Sequence, residues 1–262
     1  MKIGAQFFTL RDHCKTLDDF ALSLKKVADI GYSTVQISCV CAYEADWLDA
    51  ELKKNGLKCV LTHTAPAKIT DETEKVCLDH TTFGCDNVGL GSYKFFDENG
   101  NVLFDEFKNT FSKAIDVLHE NGKYFMYHNH HYEFVRVGGK TIMELLAEAF
   151  PAEKLGFTLD TYWVQFGGGN PAEWLTRLAG RVPVIHLKDI GMSTASKHAP
   201  FGNVGPVMLP VGEGNINFDR VFIAAEAAGT KYMLVEQDDC NGEDPFDCLK
   251  RSYDFLKANG FN

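Results

Sequence analysis

The residues of this chain that could do chemistry gather at a few places, each at the C-terminal end of a short apolar run. Gln6 closes the first run, with Arg11 soon after it, Gln36 the second and His63 the third. His128-Asn129-His130-His131-Tyr132-Glu133 ends the fifth, Asp160 the sixth, His186-Leu187-Lys188-Asp189 the seventh and Glu236-Gln237-Asp238-Asp239 the eighth. A lone histidine or aspartate after a strand is an ordinary cap or surface group. Recurrence at the same end of so many runs needs another cause. Carboxylates and imidazoles that converge repel one another or stay half-solvated unless a cation organises them. Mixed oxygen and nitrogen donors suit one divalent ion of Mn, Co, Fe, Zn or Mg.

Such convergence needs a frame that brings every run to one rim. The β-branched or aromatic runs cover residues 3–8, 34–38, 58–62, 87–90, 124–128, 155–160, 183–188 and 232–236. Between them lie helical faces: Phe20, Leu24, Val27 and Ala28 share one, and Phe107, Phe111, Ala114, Ile115 and Leu118 another. Glycines such as Gly31, Gly56 and Gly84 precede the strands, where a helix ends in a left-handed residue. A repeating unit of helix, glycine and strand, joined by right-handed crossovers, predicts one closed (β/α)8 TIM barrel over residues 1–262. An open doubly wound sheet is disfavoured, because Gly89-Leu90-Gly91 and Gly167-Gly168-Gly169 lack the strand and helix context of a nucleotide fingerprint. The irregular stretch 190–216, after the seventh strand, is expected to be an active-site loop.

Bulk composition narrows the partners. The 262 residues carry a net charge of -10, which repels nucleic acid and anionic membrane surfaces. No apolar run approaches the roughly 20 residues of a membrane span, and Met1-Lys2-Ile3 leads into a strand and not a signal peptide, so a soluble cytoplasmic protein is expected. The eight cysteines are scattered singly and read as reduced thiols; Cys39-Val40-Cys41 is too closely spaced, and too alone, for a zinc site.

Asp160, followed 26 positions later by His186 and a further 50 later by Glu236, resembles the metal-binding set of the xylose isomerase-like TIM barrels, the sugar phosphate isomerase/epimerase superfamily. Tyr127-His128-Asn129-His130, Glu133-Phe134, Asp160-Thr161-Tyr162-Trp163, Gly180-Arg181, His186-Leu187-Lys188-Asp189, Gly212-Glu213-Gly214 and Glu236-Gln237-Asp238 are similar to its branch near inosose dehydratases and keto-glycoside lyases. The similarity covers nearly the whole chain. It implies one divalent metal ion held by Asp160, His186, Glu236 and a fourth residue. The chain departs from the isomerases and epimerases at Gln36, where they often have Glu, and at His128, near the place of a metal-binding Glu. Either His128 fills that place or Glu133 reaches back to it; a second anionic oxygen for a hard cation, and the same Glu beside the same His-Asn-His run in this branch, favour Glu133.

A metal-bound carbonyl acidifies the neighbouring C–H, and the base expected to remove that proton is His128 or His130. Lys188, two residues beyond His186 and on the same strand face, could stabilise an enolate or protonate a departing oxygen; otherwise it makes a salt bridge with Asp160 or Asp189. Gln6, His63 and Trp163 are the expected substrate contacts, the indole packing an apolar sugar face. The resemblance implies a lyase or dehydratase acting on a keto-sugar, keto-glycoside or keto-inositol, with a small-molecule carbohydrate as partner and a homo-oligomer as the family's habit. A ketose 3-epimerase or aldose-ketose isomerase is the alternative, and a sugar-binding barrel without turnover a remote one. The endonuclease IV enzymes share the architecture, but their extra histidines and basic DNA surface are missing from this chain.

Overall fold

The computed structural model describes residues 1–199 and 202–262. Its strands in chain order are β1 (Lys2–Gln6), β2 (Thr34–Ile37), β3 (Lys58–His63), β4 (Asn87–Leu90), β5 (Tyr124–His128), β6 (Arg136–Val137), β7 (Lys140–Thr141), β8 (Leu155–Asp160), β9 (Val184–Leu187), β10 (Asp189–Ser193), β11 (Gly205–Leu209) and β12 (Tyr232–Val235). Eight of them close a parallel barrel in the order β1, β12, β9, β8, β5, β4, β3, β2. The expected TIM barrel is the observed fold, and the eight predicted runs coincide with its eight staves.

Burial on both faces explains why these strands read as apolar runs. Ile3, Val35, Leu159, Ile185 and Met233 point outward into the layer between strands and helices, whereas Val60, Met126, Val184 and Leu234 fill the interior. The helices that cover the barrel carry their own boundary signals. Thr141 and Glu144 form a reciprocal capping box at the start of Ile142–Ala149, and Gly31 ends Leu17–Ile30 at φ 119°, a conformation that costs a side chain dearly.

Register decides which side chains meet at the rim. Asp160 pairs with His186, which in turn pairs with Leu234, two residues before Glu236; Gln6 pairs with Gln36 on the other side. Alternation then sends His186 and Lys188 to the same side of their strand.

Three local features differ from the sequence expectation. The first strand stops at Gln6, because the Gln6 side chain accepts the Phe8 amide and turns the backbone into the 3-10 helix Phe7–His13. Gly138 and Gly139, both at positive φ, close the two-residue hairpin β6–β7, which had no predicted counterpart. The stretch expected to be irregular contains the antiparallel pair β10–β11, with Asp189 opposite Leu209 and Ser193 opposite Gly205. The connection between its strands is too long for a tight-turn signal. All eight cysteines are unpaired, and among the described residues no helix is long and apolar enough to cross a membrane.

Candidate active site

At the C-terminal rim four buried side chains converge: His128 ends β5, Asp160 ends β8, His186 lies in β9, and Glu236 follows β12. One donor atom from each lies within 4.8 Å of all the others. His128 Nε2 is 3.3 Å from Asp160 Oδ2, while His186 Nδ1 is 3.8 Å from that oxygen and 2.9 Å from Glu236 Oε2.

The opposite atom of each group is already engaged. His128 Nδ1 faces the Gly91 carbonyl at 2.9 Å, and because a carbonyl can only accept, this nitrogen carries the proton. His186 Nε2 sits 2.6 Å from Gln36 Oε1 in the same role. Asp160 Oδ1 accepts the Trp163 amide at 2.9 Å, capping the helix Thr161–Phe166, and Glu236 Oε1 accepts from Gln6 Nε2 at 2.7 Å. What remains is a set of lone pairs directed inward. His186 Nδ1 is buried 2.9 Å from Glu236 Oε2, an oxygen that also faces the Lys188 ammonium at 2.9 Å. Outer hydrogen bonds that fix the tautomer of an imidazole and aim its free nitrogen are how metal ligands are supported. This donor set therefore fits a divalent cation held by His128, Asp160, His186 and Glu236.

Lys188 supplies positive charge beside the cluster. Its Nζ lies 3.1 Å from Asp160 Oδ2, 2.9 Å from Glu236 Oε2 and 2.8 Å from Asp238 Oδ1. Burial works against the charge, but the carboxylates outweigh it and hold its pKa above the ordinary lysine value. The ammonium in turn holds Asp160 and Glu236 below the ordinary carboxylate range, against the opposing effect of burial. Asp238 is pushed up to about 6, chiefly by burial.

The cavity in front of these groups has a volume of about 530 Å3 and is lined by His63, His128, His130, Lys188, Glu236 and Asp238 among others. His63 is 5.2 Å from the His128 ring and 5.8 Å from His186, with Nδ1 3.0 Å from Ser38 Oγ and a buried Nε2 that has no partner. Its seat depends on a glycine: a Cβ at Gly91 would stand 3.1 Å from Nδ1. His130 meets His128 edge to face at 4.8 Å and stacks on Tyr132. Burial, reinforced by His128 and Lys188, depresses the His130 pKa to about 2, so the ring is uncharged. Of the expected substrate contacts, His63 lines the mouth, whereas the Gln6 side chain is engaged by Glu236 and the Phe8 amide and Trp163 lines a neighbouring cavity, its ring 5.4 Å from His130.

Glu133 is the residue the structure does not bring to the cluster. It is buried, but its carboxylate accepts from the Tyr127 hydroxyl and, at 2.8 Å, from the His130 amide. Burial raises its pKa to about 7. The fourth position in the cluster belongs to His128, because the turn after β5 aims Glu133 back at its own backbone. Asp189, expected as an alternative partner of Lys188, instead accepts the amides of Ile190, Gly212, Gly214 and Ile216 and shapes the Gly212-Glu213-Gly214 loop. Three contributors were not singled out from the sequence. Asp238 shares the strand-end alternation of Glu236 and was legible on that ground. Asn129, whose Oδ1 accepts the Asp160 amide at 3.0 Å, stands in the His-Asn-His run but was given no role of its own, and Ser38 carried no signal beyond its type.

Comparison with known proteins agrees with this architecture. The chain is 27% identical over 158 residues to an inosose dehydratase of Clostridium botulinum (strain Alaska E43 / Type E3), covering 56% of this chain and 50% of the relative. It is 25% identical over 174 residues to an inosose dehydratase of Geobacillus thermodenitrificans (strain NG80-2), covering 62% of this chain and 55% of the relative. These matches span about half the length of the curated relatives. A solved sugar phosphate isomerase/epimerase from Parabacteroides distasonis ATCC 8503 superposes with a TM-score of 0.81 at 22% identity, over 99% of this chain and 94% of that one. The family model described as xylose isomerase-like TIM barrel matches residues 24–259, and the chain belongs to that family.

Proposed function

We propose that the protein is a divalent-metal-dependent carbohydrate enzyme that removes a proton next to a carbonyl and then eliminates an oxygen substituent, a lyase or dehydratase acting on a keto-sugar, keto-glycoside or keto-inositol. The observation that carries this reading is the inward-directed donor set of His128, Asp160, His186 and Glu236, each with its outer atom fixed. A bound divalent ion, of Mn, Co, Mg, Zn or Fe, would supply carbonyl polarisation and so lower the pKa of the adjacent C–H. The resemblance to inosose dehydratases favours elimination.

Within that frame the residues divide the proton work. His130, uncharged and outside the donor cluster, takes the proton as general base. The C–H electrons form the new C=C bond, and the C–O bond on the next carbon breaks with its electron pair leaving on oxygen. The proton taken up by His130 is then given to the departing oxygen, which returns the ring to its uncharged form. Lys188, kept as an ammonium by three carboxylates, stabilises the negative charge that develops on the substrate oxygen. His63 offers a buried ring nitrogen to a substrate hydroxyl.

Metal analysis of the purified protein, followed by mass spectrometry of candidate substrates in deuterated water with the metal restored, tests the proposal. A product lighter by water or by a leaving alcohol is expected. An isomer carrying one deuterium would replace elimination with epimerisation or isomerisation, and no bound metal after reconstitution would remove the site.

A further inference from the structure

A second cavity lies beside the mouth and differs from it in kind. It has a volume of about 320 Å3 where the helix Thr161–Phe166 faces the β10–β11 hairpin, and Tyr162, Trp163, Phe166, Pro206, Val207 and Met208 form its apolar lining. Aromatic rings meet along this wall. Trp163 lies 5.3 Å from His131 and 5.7 Å from Phe166, and Tyr162 stacks on Phe166 at 5.8 Å with 13° between the planes. Phe166 retains 39% of its exposure, so a concave aromatic surface is left for a ligand to cover. Lys197 and Asp239, 2.7 Å apart, mark a polar edge where the ligand would meet water.

Trp163 stands between this cavity and the mouth. Its ring is 5.4 Å from His130 and 5.7 Å from Lys188 Nζ, both of which line the mouth. The Trp163 indole N–H is buried without a partner, a donor waiting at the junction. A single molecule that fills both spaces must be polar and hydroxylated at one end and flat and apolar at the other.

We infer that this cavity binds the aromatic substituent of a sugar conjugate whose carbonyl-bearing ring sits in the mouth, making the substrate an aryl-substituted keto-sugar and not a bare monosaccharide or cyclitol. The inference rests on the reading of the mouth as a sugar site. Mixed occupancy explains why one short helix presents Asp160 to the donor cluster at its start and Trp163 and Phe166 to the apolar wall along its length.

The test uses the metal-loaded protein and two keto-hexosides that differ only in carrying a methyl or a 2-naphthyl group. Calorimetry measures binding, and mass spectrometry follows solvent deuterium exchange next to the carbonyl. The naphthyl compound is expected to bind at least about tenfold more tightly. Phe166→Ala should erase that advantage without changing metal content or methyl-compound affinity, and Phe166→Tyr should retain it. Equal affinities, with deuterium exchange in both compounds, would overturn the cavity while leaving the reaction standing. Binding of 2-naphthol alone as tightly as the conjugate would overturn the claim that both ends belong to one molecule. Naphthyl-dependent binding lost in Phe166→Ala, but no exchange in either compound, would support the cavity and overturn the proposed reaction.

Discussion

At the scale of single residues, the donor cluster separates two roles that the sequence leaves entangled. Asp160, His186 and Glu236 are legible because each stands at the end of an apolar run, and barrel geometry brings such positions together. The choice between His128 and Glu133 is not legible, because it depends on the turn 129–133 and on which backbone amide the carboxylate reaches. Replacing His128 with Ala should therefore abolish tight metal binding, as should Asp160→Ala or His186→Ala, when metal content is measured after dialysis. Glu133→Gln should retain full metal content, since its carboxylate serves Tyr127 and the His130 amide. Loss of metal in Glu133→Gln would return it to the ligand set. Gln36→Leu leaves the His186 Nε2 proton unpaired. It should weaken metal affinity by about 10- to 100-fold, the usual effect of removing an outer support, as titration with a competing chelator would show.

At the scale of elements, the barrel staves were readable because burial on both faces demands continuous apolar runs, whereas the small hairpins depend on pairing that those runs do not encode. The helix Thr73–Thr82 shows how a buried polar contact can dock such an element. His80 Nδ1 donates to the Val76 carbonyl at 2.8 Å, and Nε2 accepts from Thr62 Oγ1 on β3 at 2.8 Å. This requires the neutral ring, and burial lowers its pKa to about 4 from an ordinary 6.5. Between these values the unfolded chain binds more protons than the native one. The resulting stability is fully present above pH 6.5 and is lost as the pH falls towards 4, by roughly 3 kcal/mol in all. Urea unfolding at a series of pH values should show this loss, and His80→Gln should flatten it. An unchanged slope in the variant would assign the acid sensitivity to other groups.

At the scale of the whole molecule, the cluster ties together β5, β8, β9 and the segment after β12, and β12 is the strand that closes the barrel against β1, with Ile3 opposite Met233. A cation bound there would tie four neighbouring staves together, and anything that binds only the folded state stabilises it by mass action. At a free metal concentration about 1,000 times its Kd this amounts to roughly 4 kcal/mol, and for a chain of this size roughly 10 °C in Tm. Lys188 is the internal counterweight. Without metal, its ammonium is the positive charge held 3.1 Å from Asp160 and 2.9 Å from Glu236; with metal, those carboxylates have a stronger partner. Lys188→Met should therefore lower the Tm of the metal-free protein more than that of the loaded protein, widening the gap between them. Differential scanning calorimetry of both proteins, after chelation and after reloading, measures that gap directly. A gap of the same size in the variant would mean that lysine and metal act on the carboxylates independently, and that Lys188 is held for the reaction alone.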